Sequence, residues 1–276
     1  MCKFWGKKED SIPGRAFYER SKYVSKSYEK DLKILEQEIL AVDPNVILAL
    51  GNLASWAIFN TGEFEKTRGA ISETLFKPKG LSTYHPKDVT KNWQLHPIFV
   101  ADCMKAKEES KFRAIRYPER EIWIEPTLED LYLFYEKHIK PNPRLSIDIE
   151  TVAGDIVTCI GFAPTPEHAL VVPFFDDRKP GHNYWSTLDQ ELDAWDFVRD
   201  MCESNKEILF QNGMYDMNVM SKTYGIFFPH ATHDTMLLHH ALQPEMKKGL
   251  AFMGTLYTNQ NRWKTRRHNA TLKRED

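Results

Sequence analysis

The sequence predicts an α/β chain built as two successive units, and three observations predict it. Its 276 residues correspond to about two domains at ~150 residues each. An apolar pentapeptide, Val46–Leu50, is framed by helix-like segments. Three short strand-like runs between residues 145 and 172 are followed by alternating helix and strand patterns.

Taken in order, Tyr28, Leu32, Leu35, Ile39 and Val42 fall at helical spacing and predict a helix over 27–42, with Glu29 one turn before Lys33. Asp43-Pro44 stops it, because a residue before proline avoids the helical region. Val46–Leu50 reads as a buried parallel strand, apolar on both faces. Gly51-Asn52 then turns the chain into a short helix over 53–59. Strands near 71–76 and 81–84 and a helix over about 98–109 complete an open α/β layer across residues 1–112. The charged stretch 110–126, with a strand signal at 121–125, reads as a junction, and residues 113–143 as a linking strand and helix. Thr127 caps that helix with Asp130 at the capping-box position, and Leu128, Leu131, Tyr135 and Ile139 face inward. The turn Pro141-Asn142-Pro143 ends it.

The second unit is expected over 144–276. Strands over 145–150, 156–162 and 169–172, joined by short connectors containing Gly154-Asp155 and Pro164-Thr165-Pro166, make an antiparallel meander. A helix over 188–202 follows, with Leu192, Trp195, Val198 and Met201 at its spacing. Then come a strand over 208–210, a helix over 214–224, another after Asp234 to 242, and one beyond Lys248. Three strands and then alternating helix and strand is the order of the ribonuclease H-like architecture, a mixed sheet flanked by helices.

Composition narrows the function classes. Hydrophobic residues make up 42% and charged residues 28%, and the mean hydropathy is −0.52, an ordinary soluble composition. The longest aliphatic run, Val46–Leu50, is far below the ~20 residues of a membrane helix, so no membrane partner is expected. The start, MCKFWGKKEDS, has no apolar core of the kind a secretory signal needs. Cysteines at 2, 103, 159 and 202 have neither metal-ligand spacing nor the density of a disulfide scaffold, which suits a reducing cytoplasm. Net charge is −2, unevenly spread. Residues 144–244 carry 6 Lys/Arg against 15 Asp/Glu, whereas 261–276 carry 6 against 2 and 1–33 carry 9 against 5. An acidic middle with basic flanks suits a metal-dependent phosphodiester enzyme, and it also describes ordinary patchiness.

The most informative segment is Leu145-Ser-Ile-Asp-Ile-Glu-Thr151. Strand period two puts Asp148 and Glu150 on one face, ~7 Å apart, where two carboxylates repel unless cations lie between them. A pair of divalent ions requires such an arrangement, although Asp-x-Glu alone also describes an exposed acidic strand face. In Gln211-Asn-Gly-Met-Tyr-Asp216, Asn212 and Asp216 stand four apart at a helix start. Asn212 there suits an N-cap and Asp216 the helix dipole.

Together, IDIET at 147–151, NGMYD at 212–216 and HDTMLL at 233–238 resemble the proofreading 3′–5′ exonucleases of the DEDD superfamily, of the type attached to DNA polymerase I-like enzymes. The resemblance covers about residues 120–276. It implies catalytic and metal-binding roles for Asp148, Glu150 and Asp216, two Mg²⁺ or Mn²⁺ ions, and contacts from Asn212, Thr151 and Tyr215 to a single-stranded DNA 3′ end. In such two-metal chemistry one ion activates water and the other stabilises the leaving 3′ oxygen. Tyr215, Phe174 or Phe175 are aromatic candidates for stacking terminal bases, with core packing the commoner role for each.

One departure stands out. The family's last motif, Tyr-x-x-x-Asp or His-x-x-x-x-Asp, supplies a fourth carboxylate. Downstream of Asp234 the only Asp is Asp276, position 272 is Leu, 271 is Thr, and Tyr257 is followed four residues later by Asn261. A partner polypeptide or a missing C-terminal part is the expected source of that fourth acid; otherwise the chain binds a 3′ end without cutting it. Adjacent His239 and His240 point about 100° apart on a helix, so one buried and one exposed histidine is the expectation. Asp234 is expected to fix its helix start.

In the first unit, VDPNVILALGNLASWAIFN (42–60), TRGAI (67–71), STYHPKDV (82–89) and PIFVADCMKAK (97–107) resemble the later half of a uracil-DNA glycosylase-like domain. The resemblance makes His85 the analogue of the histidine that faces the uracil pocket. The family's Gly-Glu-x-Pro-Gly loop is absent, so a DNA-binding platform is expected there, with base excision the lesser alternative. Glycosylase-like unit followed by exonuclease resembles the front of certain tailed-phage family A DNA polymerases, which implies a polymerase polypeptide as partner and a host cytoplasm as location.

Overall fold

The structure, a computed structural model, describes residues 5–18 and 22–258. Cys2, the basic run 261–276 and, within it, Asn261, Thr271, Leu272 and Asp276 lie outside the described residues. The elements, in order, are β1 (Trp5–Gly6), β2 (Tyr23–Val24), α1 (Glu29–Val42), β3 (Val46–Leu50), α2 (Asn52–Phe59), α3 (Phe64–Thr67), β4 (Ile71–Glu73) and β5 (Lys79–Thr83). Next are α4 (Pro86–Lys91), α5 (His96–Glu109), β6 (Glu121–Trp123), α6 (Leu128–Phe134), β7 (Arg144–Val152), β8 (Ile156–Ala163), β9 (His168–Pro173) and α7 (Leu188–Cys202). The last are β10 (Glu207–Phe210), α8 (Met214–Val219), β11 (Ala231–Asp234), α9 (Thr235–Leu242) and α10 (Leu250–Tyr257). No helix among the described residues is long and apolar enough to cross a membrane.

Two compact units result: the described residues up to Arg116 together with those from Glu245, and Tyr117–Pro244. This division differs from the sequence reading at both ends of the second unit. The 121–123 strand, read as part of a linker, pairs in parallel with β9 and so belongs to the second unit's sheet. Helix α10, read as the end of the second unit, buries Phe252 and Met253 against Ile98 and Met246 of the first. Local pattern marks α10 as a helix, but it does not say which core receives an apolar helix.

In the first unit β5 lies between β3 and β4, parallel to β3 and antiparallel to β4. β3 is therefore an edge strand, half-buried with Leu50 exposed, and not buried on both faces as its composition predicts. Every residue of β5 is buried, including its polar ones. Each of these finds a partner, as burial demands. Lys79 Nζ donates to Glu109 Oε2 at 2.6 Å and to the Ala114 carbonyl at 3.1 Å. A hydrogen bond of 2.7 Å joins Ser55 to Ser82. The Thr83 hydroxyl donates to Asp102 Oδ2 at 2.7 Å, and Arg68 approaches Asp102 Oδ1 at 3.3 Å while donating to Thr255 Oγ1 at 2.6 Å. A polar network thus ties α10 to the rest of this unit.

The second unit carries a six-stranded mixed sheet in the order β11-β10-β7-β8-β9-β6. β7, β8 and β9 form the predicted antiparallel meander, and β10 and β11 add in parallel on the far side of β7. Apart from β6, the strands run third, second, first, fourth and fifth in chain order, which is the ribonuclease H-like arrangement. β11 was not legible beforehand: Ala-Thr-His-Asp has no apolar alternation, and as an edge strand it is held by backbone pairing. The Thr127–Asp130 capping box forms as predicted. α7 has its predicted bounds, yet its inward face is Ala194, Phe197, Val198, Met201 and Cys202, with Leu192 exposed. The core, centred on Leu145, Ile147, Ile149, Ile160, Phe162 and Leu170, holds β7 between its neighbours.

Candidate functional site

Along β7 burial alternates as the sequence demands. Leu145, Ile147 and Ile149 are buried, Ser146 and Asp148 are exposed, and Glu150 is half-buried. Asp148 and Glu150 therefore share a face toward the carboxyl end of the strand, before a register shift at Glu150/Thr151. On that face Asp148 stands opposite Gly161 and Glu150 opposite Cys159 of β8. Gly161 leaves the space beside Asp148 open, and burial together with Glu150 and Asp148 pushes the Cys159 thiol up. Neither neighbour is legible without the strand register.

β10 pairs with β7 only from Glu207↔Arg144 to Leu209↔Ser146. Beyond that point the two parallel strands are no longer paired toward their carboxyl ends, where the chain order switches direction, the usual ligand position in such sheets. Asp216, buried in the first turn of α8, accepts the Ile149 backbone N–H at 3.0 Å and so replaces a sheet partner that β7 lacks there. Burial, and then the Asp148 and Asp234 carboxylates, push the Asp216 carboxyl up to about 6, against the pull of the Ile149 bond. Asp216 thus comes within electrostatic reach of Asp148, whose strand face also carries Glu150.

Asn212 departs from its expected capping role. It lies before the helix with φ 64, the left-handed region, and Gly213 is the N-cap. Gly213 is required by close approach: a Cβ there would lie 2.5 Å from Phe210 Cβ. Asp234 does fix its helix start, accepting from Met236 N at 2.8 Å. It also reaches back to hold the Asn212 and Gly213 N–H groups at 3.1 and 2.8 Å. This second role clamps the loop that carries Asp216, and only the β10–β11 pairing makes it visible. Asp234→Ala is expected to cost about 2–4 kcal/mol, combining a lost cap with charge-assisted hydrogen bonds, read as a lower denaturant midpoint.

The Thr151 and Tyr215 hydroxyls meet at 2.5 Å, and Tyr215 Oη also donates to the Gly154 carbonyl at 3.0 Å. The phenol is pinned while 44% of the residue stays exposed beside the acids. Phe175 is likewise exposed, stacked on His182, whereas Phe174 is core, stacked on Trp195 at 3.9 Å. His239 is buried and His240 exposed. In the first unit His85 is exposed and caps α4, its Nδ1 accepting from Lys87 N at 3.1 Å.

All-oxygen donors such as Asp148, Glu150 and Asp216 suit Mg²⁺ or Mn²⁺. The raised Asp216 carboxyl is what a cation between these acids would relieve. The pH dependence follows by sign. A carboxyl raised to about 6 in the fold but ordinary in the unfolded chain stabilises the metal-free protein fully only at acid pH. That stability, up to about 3 kcal/mol, is lost as pH rises from about 4 through about 6. Metal-free melts are expected to show this fall, and Asp216→Asn to remove it. Metal binding is expected to weaken as pH drops through about 6.

No protein-family model matches the chain, and no curated protein matches it. Among solved structures, Escherichia coli RNase D, an exoribonuclease involved in structured RNA processing, matches with a TM-score of 0.36 at 16% identity, over 52% of this chain and 34% of that one. Brucella melitensis NrnC with bound Mg²⁺ matches with a TM-score of 0.32 at 14% identity, over 51% of this chain and 61% of that one. The EXO domain of Aedes aegypti Nibbler matches with a TM-score of 0.38 at 14% identity, over 54% and 74%. The match thus spans about a third of RNase D and three-fifths of NrnC.

Proposed function

We propose that the second unit is a metal-dependent 3′–5′ exonuclease acting on a single-stranded DNA end, in the manner of a proofreading module working with a polymerase polypeptide. The observation that carries this reading is Asp148 and Glu150 on one face of β7, with buried Asp216 accepting the intervening Ile149 N–H at the switch point of the sheet. These three carboxylates would hold two Mg²⁺ or Mn²⁺ ions, whose chemistry is to polarise a phosphate and generate a hydroxide nucleophile near neutral pH. Asn212 lies in the loop that leads into α8, and the pinned ring of Tyr215 offers a terminal base a stacking surface that tolerates any sequence. The Asp234 clamp keeps Asp216 in place whether or not a nucleic acid is bound.

The first unit is proposed as a nucleic-acid-binding platform. His85 caps α4 through Nδ1, which leaves Nε2 as the N–H donor, and base excision is the lesser alternative because the Gly-Glu-x-Pro-Gly loop is absent.

The test is digestion of 5′-labelled single-stranded DNA by this chain with Mg²⁺ or Mn²⁺. A 3′-to-5′ ladder supports the reading and means that three acids suffice. Retention of DNA without cleavage, unchanged by metal, would replace it with a binding role. Faster loss of an RNA strand of the same sequence would move the substrate to RNA, a choice made partly through the 2′-hydroxyl.

A further inference from the structure

Among the described residues, one set of three metal-ligating side chains has its donor atoms all within 4.8 Å of one another, and it is not the acid cluster. It is Glu121, His138 and His168. The parallel register of β6 on β9 sets Glu121 directly opposite His168, and His138 comes from the π-helical turn Tyr135–Ile139 that extends α6. His138 Nε2 lies 3.5 Å from Glu121 Oε2, and His168 Nε2 lies 3.8 Å from the same oxygen. Donors around a tetrahedral Zn²⁺ with ~2.0–2.1 Å bonds stand about 3.4 Å apart.

Two further observations point to a ligand. His138 is only 7% exposed, and its Nε2 is buried with no hydrogen-bond partner. A buried imidazole nitrogen without a close partner is costly, and the Glu121 carboxylate at 3.5 Å meets it only loosely while the ring stacks on His168 at 4.0 Å. The remaining groups are already oriented. Thr165 Oγ1 engages His168 Nδ1 at 2.9 Å, which directs the lone pair of Nε2 inward when Nδ1 carries the proton. Trp123 Nε1 and Lys137 Nζ donate to the other oxygen of Glu121, at 3.0 and 3.1 Å, and Lys137 also reaches Oε2 at 3.4 Å beside the histidines.

We propose that Glu121, His138 and His168 form a second metal site, selective for a Zn²⁺-type ion, that fastens the edge strand β6 and the end of α6 to the sheet. Two imidazoles and one carboxylate suit zinc and not Mg²⁺. The site lies three strands from β7, about 14 Å across the sheet, and toward the strand ends opposite to the acids. It is therefore separable from the proposed exonuclease centre and does not depend on it.

The test uses the full chain carrying Asp148→Ala and Glu150→Ala, so that the acid cluster does not contribute. A single Zn²⁺ per chain should survive dialysis and raise the Tm, and Co²⁺ in its place should give visible d–d bands without thiolate charge transfer. Mg²⁺ should do neither. His168→Gln and Glu121→Gln, at more exposed positions, should each abolish the bands and the Tm shift while far-UV circular dichroism stays unchanged. Thr165→Val should weaken binding about 10- to 100-fold. Absence of Co²⁺ bands, or bands that persist in His168→Gln, would overturn the proposal.

Discussion

The Asp148→Ala chain is expected to keep its fold and to lose about a thousandfold in metal-dependent cleavage of a DNA 3′ end. Asp148 is exposed on β7, and its carboxylate adds to the repulsion that raises Asp216. Removing it should leave stability within about 0.5 kcal/mol or raise it slightly, and should let Asp216 ionise at a lower pH. The rate falls for a different reason. A divalent ion offsets charge developing on phosphate by several kcal/mol; about 4 kcal/mol, at tenfold per 1.36, is about a thousandfold. Single-turnover digestion at saturating Mn²⁺, beside a thermal melt, checks both halves. A ladder that survives the substitution would show that Asp148 and Glu150 are only a solvated strand face.

The largest stability effect is expected in the first unit. Asp102 and Arg68 are almost wholly buried, at 1% and 2% exposure, and share their partners with Thr83 and Thr255. Burial pushes the Asp102 carboxyl up even though Arg68 and the Thr83 hydroxyl pull it down, so desolvation outweighs the attraction. Asp102→Leu strands the Arg68 guanidinium without a counter-charge and should cost about 3–5 kcal/mol. The double variant Arg68→Met/Asp102→Leu should recover most of that loss, because apolar groups of similar volume carry no desolvation penalty. Denaturant midpoints of the wild type and these two variants measure it. A double variant as unstable as the single one would mean that the network is needed for packing as well as charge. Lys105, which burial lowers to about 8, donates to the Gly69, Thr255 and Thr258 carbonyls and marks the same seam.

Much of this was legible in the chain itself. Period-two alternation over 145–150 settles which side chains of β7 face the core, and so puts Asp148 and Glu150 together, because a pleated strand allows no other arrangement. The Thr127–Asp130 box and the stop at Asp43-Pro44 are equally local, decided within one helical turn. The positions of Asp216 and Asp234 are different. Their roles depend on where β10 and β11 dock, and such short strands leave that to long-range pairing. The same holds for Glu121, His138 and His168, which are 17 and 30 residues apart in the sequence and meet only because β6 joins the far edge of the sheet. Sequence by itself determined the elements and the face each presents, since these follow from backbone geometry and residue type. Only the tertiary structure decided which faces meet, because that choice rests on burial and hydrogen bonding between segments with no local signature of one another.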